Sequence, residues 1–145
     1  MYFLLLKIRP EIVLETGCWY GNSSVCILAA LSKNNTGCLY TIDLPAYFET
    51  GGYYDENPYL DEEKRRGSLP AGAQPGFIIP EFLRTRWELI LGASSDKLRL
   101  LLDRLGRTDI FVHDSLHTYN NMKFEFESAY PYIKDGGFLI SDNID

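Results

Sequence analysis

The amino-acid sequence predicts an α/β fold, a doubly wound and mostly parallel sheet covered by helices on both faces. Three observations carry the expectation. Short apolar runs alternate with runs of helical period from residue 11 to residue 141, the pattern of repeated right-handed crossovers. The runs Ile110–Val112 and Phe138–Ile140 are apolar at every position, as parallel strands buried on both faces are. A chain of 145 residues, 46% apolar and 23% charged, is the size and composition of one domain with its own core. We therefore expect a single domain over 1–145, carrying an insertion or flexible loop at about 46–76.

Element by element, Glu11–Thr16 reads as a first strand stopped by Gly17. Asn22 or Ser23 can cap a helix whose apolar positions Val25, Leu28, Ala29 and Leu31 share a face, and Asn34, Asn35 and Gly37 end it. Leu39–Leu44 is a second strand, closed by Asp43 and Pro45. From Ala46 to Gly76 no period survives among Gly, Pro, Tyr and charged residues, which reads as a long loop. Pro80 opens a short helix to Arg86, and Trp87–Leu91 is a third strand. Asp96–Leu105 places Leu98, Leu101, Leu102 and Leu105 at helical spacing before Gly106. Asp109–Val112 is a fourth strand. Tyr119–Ile133 is helical, with Met122, Phe126, Ala129 and Ile133 on one stripe. Gly136–Gly137 break it, and Phe138–Ser141 is a fifth strand.

Composition narrows the class of function. Twenty acidic residues against 14 basic ones give a net charge of −6, and no basic run exceeds Lys64–Arg66, so neither nucleic acid nor an anionic membrane is the expected partner. Three cysteines (Cys18, Cys26, Cys38), an odd count without a CxxC, fit a reduced, cytoplasmic setting. The apolar opening Met1–Leu6 is too short for a signal sequence or a membrane span. Phe138–Ile140 would form a flat apolar edge, which natural sheets avoid. Further strands, or a partner such as a second copy of the chain, should cover it, and the chain reads as C-terminally incomplete.

In doubly wound sheets ligands sit outside the carboxyl ends of the strands. Here those ends are Glu15–Ser23, Asp43, Gly92–Asp96, Asp114–His117 and Asp142–Asn143, all polar or glycine-rich. The turn Gly17–Gly21 carries Trp19 where a dinucleotide fingerprint needs its second glycine, which disfavours a pyrophosphate and leaves room for a nucleoside cofactor without one. Asp43, ending the second strand, can accept both hydroxyls of a ribose; alone it could equally be a turn residue before Pro45. Asp114, Asp142 and Asn143 make a hard, oxygen-rich set suited to Mg²⁺, although acidic strand ends also occur without metal. His117, three residues after Asp114, has the titration range of a general base, while His113 should alternate to the other side of its strand and pack there. Tyr119 and the tyrosines Tyr47, Tyr53 and Tyr54 could wall an acceptor pocket or face solvent.

Taken in order, ETGCWYGNSS, TIDL, GASSD, HDSLHTY and LISDN resemble the class I S-adenosylmethionine-dependent methyltransferases. The likeness is to their metal-dependent O-methyltransferases, such as catechol O-methyltransferase and the sugar O-methyltransferases of macrolide biosynthesis (the methyltransferase domain 24 type). It runs from about Glu11 to Asn143, the insertion excepted. It implies a Rossmann-like sheet of order 3-2-1-4-5, with Gly17 and Gly21 lining the methionine part of the cofactor. Glu15 would support that loop and Ser23 lie near the carboxylate; Asp43 would hold the ribose, and Ser94 lie beside the adenine. Asp114, Asp142 and Asn143 would ligate the divalent ion and His117 take the proton of a small-molecule or sugar hydroxyl. The resemblance also implies two more strands and a helix after Asn143, and helices ahead of the first strand, where the sequence shows no helical pattern. Metal-independent O- or N-methylation on the same fold, and a non-catalytic cofactor-binding or scaffold domain docking through the fifth strand, are the rival readings.

Overall fold

A computed structural model describes residues 1–44, 69–70 and 73–142. Five parallel strands form one sheet: β1 (Ile12–Thr16), β2 (Cys38–Asp43), β3 (Trp87–Leu91), β4 (Thr108–His113) and β5 (Ile133–Ser141), in the order β3-β2-β1-β4-β5. This is the doubly wound, Rossmann-like sheet the sequence predicts.

The pleat of β1 and β4 divides the core in two. Val13, Ile110 and Val112 face one side, where they pack with Leu5, Ile27, Leu28, Leu31 and Leu83. Leu14 and Phe111 face the other, against Leu98, Leu101, Leu102 and Ala129. Successive residues of a strand point to opposite faces, so a strand apolar at every position feeds both layers at once. The first layer is covered by α2 (Asn22–Asn34) and the 3₁₀ turn Glu81–Arg86; the second by α3 (Ser94–Leu105) and α4 (Tyr119–Ala129).

Four expectations need correction. A helix does precede the first strand: α1 (Tyr2–Ile8) buries Leu5 and packs on α2. At seven residues it is too short for its period to register, and packing rather than propensity sustains such a helix. Arg9 ends it in a left-handed conformation and donates to the Asn34 carbonyl (2.9 Å), while Asn34 donates back to the Leu5 carbonyl (2.9 Å). Second, neither Asn22 nor Ser23 caps α2. The cap position is Gly21 at φ 107°, and the buried face keeps Leu28 and Leu31 of the expected stripe but runs through Ser24, Ile27 and Ala30 in place of Val25 and Ala29.

Third, α3 begins at Ser94 rather than Asp96. Fourth, α4 stops at Ala129, because Pro131 cannot continue it; Tyr130–Tyr132 tighten into a 3₁₀ turn and Ile133 already belongs to β5. Gly136 and Gly137 therefore lie inside β5, where its register against β4 shifts between Thr108 and Ile110. The expected insertion at 46–76 falls mostly outside the described residues. β5 is an edge of the sheet, with Phe138 and Leu139 partly exposed. Among the described residues no helix is long and apolar enough to cross a membrane.

Candidate active site at the carboxyl ends of the strands

The turn after β1 is built by backbone contacts. Gly17 adopts φ 79°, and a methyl group on it would lie 2.6 Å from the Asp114 carbonyl carbon and 2.8 Å from the Ser115 Cα. Glycine is required there because the turn after β4 presses against it; the Asp114 N–H also donates to the Thr16 carbonyl (2.9 Å). Gly21 answers a similar demand from Ile79 and Gly76, at 2.9 and 3.0 Å from where its side chain would begin.

Between them Trp19 stands at φ 48°, a left-handed conformation that bulky residues avoid. Asp43 helps hold it there: one carboxylate oxygen accepts the N–H groups of both Cys18 (2.8 Å) and Trp19 (2.7 Å), and the other accepts the Leu44 N–H (2.7 Å). The expected ribose ligand is thus also the clasp of the turn, and of the roughly four acceptor positions of a carboxylate about one is left open. The Trp19 indole stacks on Tyr20 at 4.3 Å, and Tyr20 meets Phe77 edge-on at 5.2 Å, so an aromatic shelf borders the turn.

Glu15 is completely buried below the turn. Its Oε2 accepts from Ser24 (2.5 Å) and Thr41 (3.0 Å), while Oε1 has no hydrogen-bond partner among the described residues. Burial pushes this carboxyl up to about 7; the hydroxyls of Ser23, Ser24 and Thr41 pull against that, and the Asp114 charge reinforces it. Ser23, expected near a cofactor carboxylate, therefore sits beside Glu15 at the start of α2.

A second buried carboxylate, Glu125 of α4, was absent from the expectations. Its Oε2 accepts from Thr16 Oγ1 (2.6 Å) and faces His113 Nδ1 (2.7 Å); its Oε1 accepts from Ser115 (2.7 Å) and Asn121 (3.0 Å). Burial would raise this acid, but hydrogen bonds led by His113 and including Ser94, Thr16 and Ser115 outweigh it and hold it below the usual range. The signal in the sequence is a lone acid on the apolar stripe Met122, Phe126, Ala129, one turn from each end. His113 is buried and hydrogen-bonded as expected, with Nε2 unpartnered. The Ser94 hydroxyl lies 3.4 Å from Asn121 Oδ1, in the same network.

The loop after β4 carries the remaining expected residues. Burial, then the neighbouring charge of Asp142, raise the Asp114 carboxyl to about 6. His117 Nε2 lies 3.7 Å from Asp114 Oδ1, and its ring meets that of His113 at 5.1 Å. Asp142 is anchored by its N–H to the His113 carbonyl (3.1 Å). Asn143 lies outside the described residues, among which no three His, Cys, Asp or Glu side chains cluster closely enough to hold a metal ion. Asp114 and Asp142, two hard oxygen donors in each other's field, fit a divalent cation as far as they go. A cationic cofactor fits as well: Asp43, Asp114 and Asp142 make the rim negative, and Glu15 keeps an unpartnered buried oxygen beside the turn.

Comparison with known proteins follows the same lines. A family model described as a methyltransferase domain matches residues 14–144. Among solved structures the fold is similar to that of the O-methyltransferase TomG from Streptomyces achromogenes, in complex with S-adenosylmethionine (TM-score 0.66, 20% identity, 98% of this chain and 52% of that one). It is similar to an O-methyltransferase from Bacillus cereus in complex with S-adenosylhomocysteine (0.65, 19%, 98% and 53%). The methyltransferase MycE of the mycinamycin pathway, in complex with Mg and S-adenosylhomocysteine, is a more distant likeness (0.58, 16%, 99% and 30%). The chain spans about half the length of the first two. No curated protein matches it.

Proposed function

Because this chain belongs to the methyltransferase-domain family, we propose that it transfers the methyl group of S-adenosylmethionine to the hydroxyl of a small molecule or sugar, with help from a divalent cation. The observation that carries this reading is the backbone contact between Gly17 and Asp114–Ser115. It sets a turn suited to the methyl donor directly against a loop bearing a carboxylate and a histidine.

In this reading the Gly17–Gly21 turn and Asp43 bind the donor, and Asp114, Asp142 and Asn143 would hold the cation. A bound divalent ion supplies charge that lowers the pKa of an acceptor hydroxyl. His117 takes that proton while the acceptor oxygen forms a bond to the methyl carbon; the S–CH₃ bond breaks and its electron pair stays on sulfur, leaving a neutral thioether. The sulfonium is already activated, so the protein's main contribution is orientation and exclusion of water. In this reading the partner is a small molecule rather than nucleic acid or a membrane surface, which the net charge of −6 supports.

The first test is calorimetric titration of S-adenosylhomocysteine into the protein. One-to-one binding, lost in Asp43→Ala, is expected; absence of binding by the folded wild type would overturn the reading. A metal-free version is favoured by one observation, the 3.7 Å approach of His117 to Asp114, which could orient the base unaided. Chelation separates the two: EDTA should abolish turnover of the metal-assisted enzyme and Mg²⁺ restore it, and leave the metal-free enzyme unchanged. His117→Ala and Asp142→Ala should each lower turnover by about 10²-fold or more.

A further inference from the structure

We propose that Glu125 is a positioning residue that locks the donor turn to the acceptor loop. This rests on the reading above, in which the turn after β1 holds the methyl donor and the loop after β4 holds the acceptor.

One carboxylate joins both sides. Its Oε2 holds Thr16, the residue immediately before Gly17, and His113, the residue immediately before Asp114. Its Oε1 holds Ser115, immediately after Asp114, and Asn121, whose amide also donates to the Leu116 carbonyl (3.0 Å) and to Ser115 Oγ (3.1 Å). Asp114 is thus bracketed on both flanks by groups tied to Glu125, and the same oxygen that ties one flank ties the donor turn. The ring contact of His113 with His117 extends the arrangement to the proposed base.

Glu125 and His113 are fully buried, so these bonds are made in a medium where electrostatic interactions are strong and water cannot compete. Glu125 sits on α4, outside every strand end; Ser94 is the one expected cofactor residue it bonds, and it bonds none of the expected metal ligands among the described residues. Its effect is on the spacing of the two loops. Methyl transfer is sensitive to that spacing, since a misplacement of about 1 Å can cost about 10²-fold in rate.

The test uses S-adenosylhomocysteine as the probe and separates positioning from stability. Glu125→Gln should bind it about tenfold more weakly, or 1.4 kcal/mol, at a temperature where urea unfolding shows the variant folded. Binding should protect the amides of residues 114–118 from hydrogen exchange in the wild type and no longer do so in Glu125→Gln. A variant that unfolds more easily but binds within twofold, with the loop still protected, would show a purely structural role and overturn the proposal. Should Glu125→Gln fail to fold, Thr16→Val, Ser115→Ala and the double variant decide: non-additive effects on affinity support a shared lock, and additive effects overturn it. Failure of the wild type to bind the probe at all overturns the functional reading itself, and is seen before any substitution is made.

Discussion

Glu15 and Glu125 are two carboxylates closed to solvent at the same end of one sheet, and the protein treats them in opposite ways. Glu15 receives the hydroxyls of Ser24 and Thr41 on one oxygen, with Ser23 beside it; burial wins, and the acid is pushed up to about 7. Glu125 receives Thr16, His113, Ser115 and Asn121 across both oxygens; the donors win, and the acid is held below its usual range. Neither side chain is exposed to solvent, though Glu15 is the more deeply buried of the two. The number and kind of donors also differ, and with burial they set whether a buried carboxyl titrates above or below its usual range. The charged one is a tie between loops. The raised one braces the turn after β1 from below.

The largest test of the contrast is Glu125→Ala. It strips a buried charge from a set of donors that have no other partner of equal quality, and should cost roughly 3–5 kcal/mol in chemical unfolding at pH 7. The sign with pH follows from the lowered acid: its contribution is full above 4.5, its ordinary value, and fades as pH falls below that. A Glu125→Ala penalty that stayed the same at pH 3 would break the comparison.

Glu15→Gln should act in the other direction. The folded-state value of about 7 lies above the ordinary 4.5, so the contribution of Glu15 is full below 4.5 and is lost as pH rises through 7. Relative to wild type, Glu15→Gln should therefore be nearly neutral at pH 4.5 and stabilising by up to about 3 kcal/mol at pH 8, read from unfolding midpoints at the two pH values.

The smallest effect sharpens rather than breaks the picture. Thr16→Val removes a hydroxyl from a charged acceptor and should cost about 1.5–3 kcal/mol at pH 7, while Ser24→Ala at pH 5 removes one from a neutral acceptor and should cost about 0.5–1.5 kcal/mol. Equal costs in parallel urea titrations would show that the two acids carry the same charge.

Legibility in the sequence followed the same divide. The strands were readable because apolar runs such as Ile110–Val112 need only their own residues to signal burial on both faces. Their order in space put Gly17, Asp43, Asp114 and Asp142 at one end of the sheet, as expected of a doubly wound fold. The boundaries that failed were those set by neighbours. The start of α2 was misplaced because Gly21, pressed by Ile79 and Gly76 into a left-handed conformation, takes the cap position. The end of α4 was misplaced because Ile133 suits a helical stripe and a strand equally until β4 pairs with it. Glu125 left only the trace of a single acid on an apolar stripe, and its four donors come from three separate segments of the chain.

Hydrophobic pattern and turn chemistry by themselves determined the class of fold, the succession of strands and helices, and the end of the sheet at which chemistry is placed. These are local properties, fixed by side-chain period and backbone conformation. Only the tertiary structure decided which buried acid is raised and which lowered, why Gly17 must be glycine, and that Asp43 clasps a strained Trp19. Each of these depends on groups brought within about 3 Å of one another from residues up to 109 positions apart, and a sequence carries no direct record of such distances.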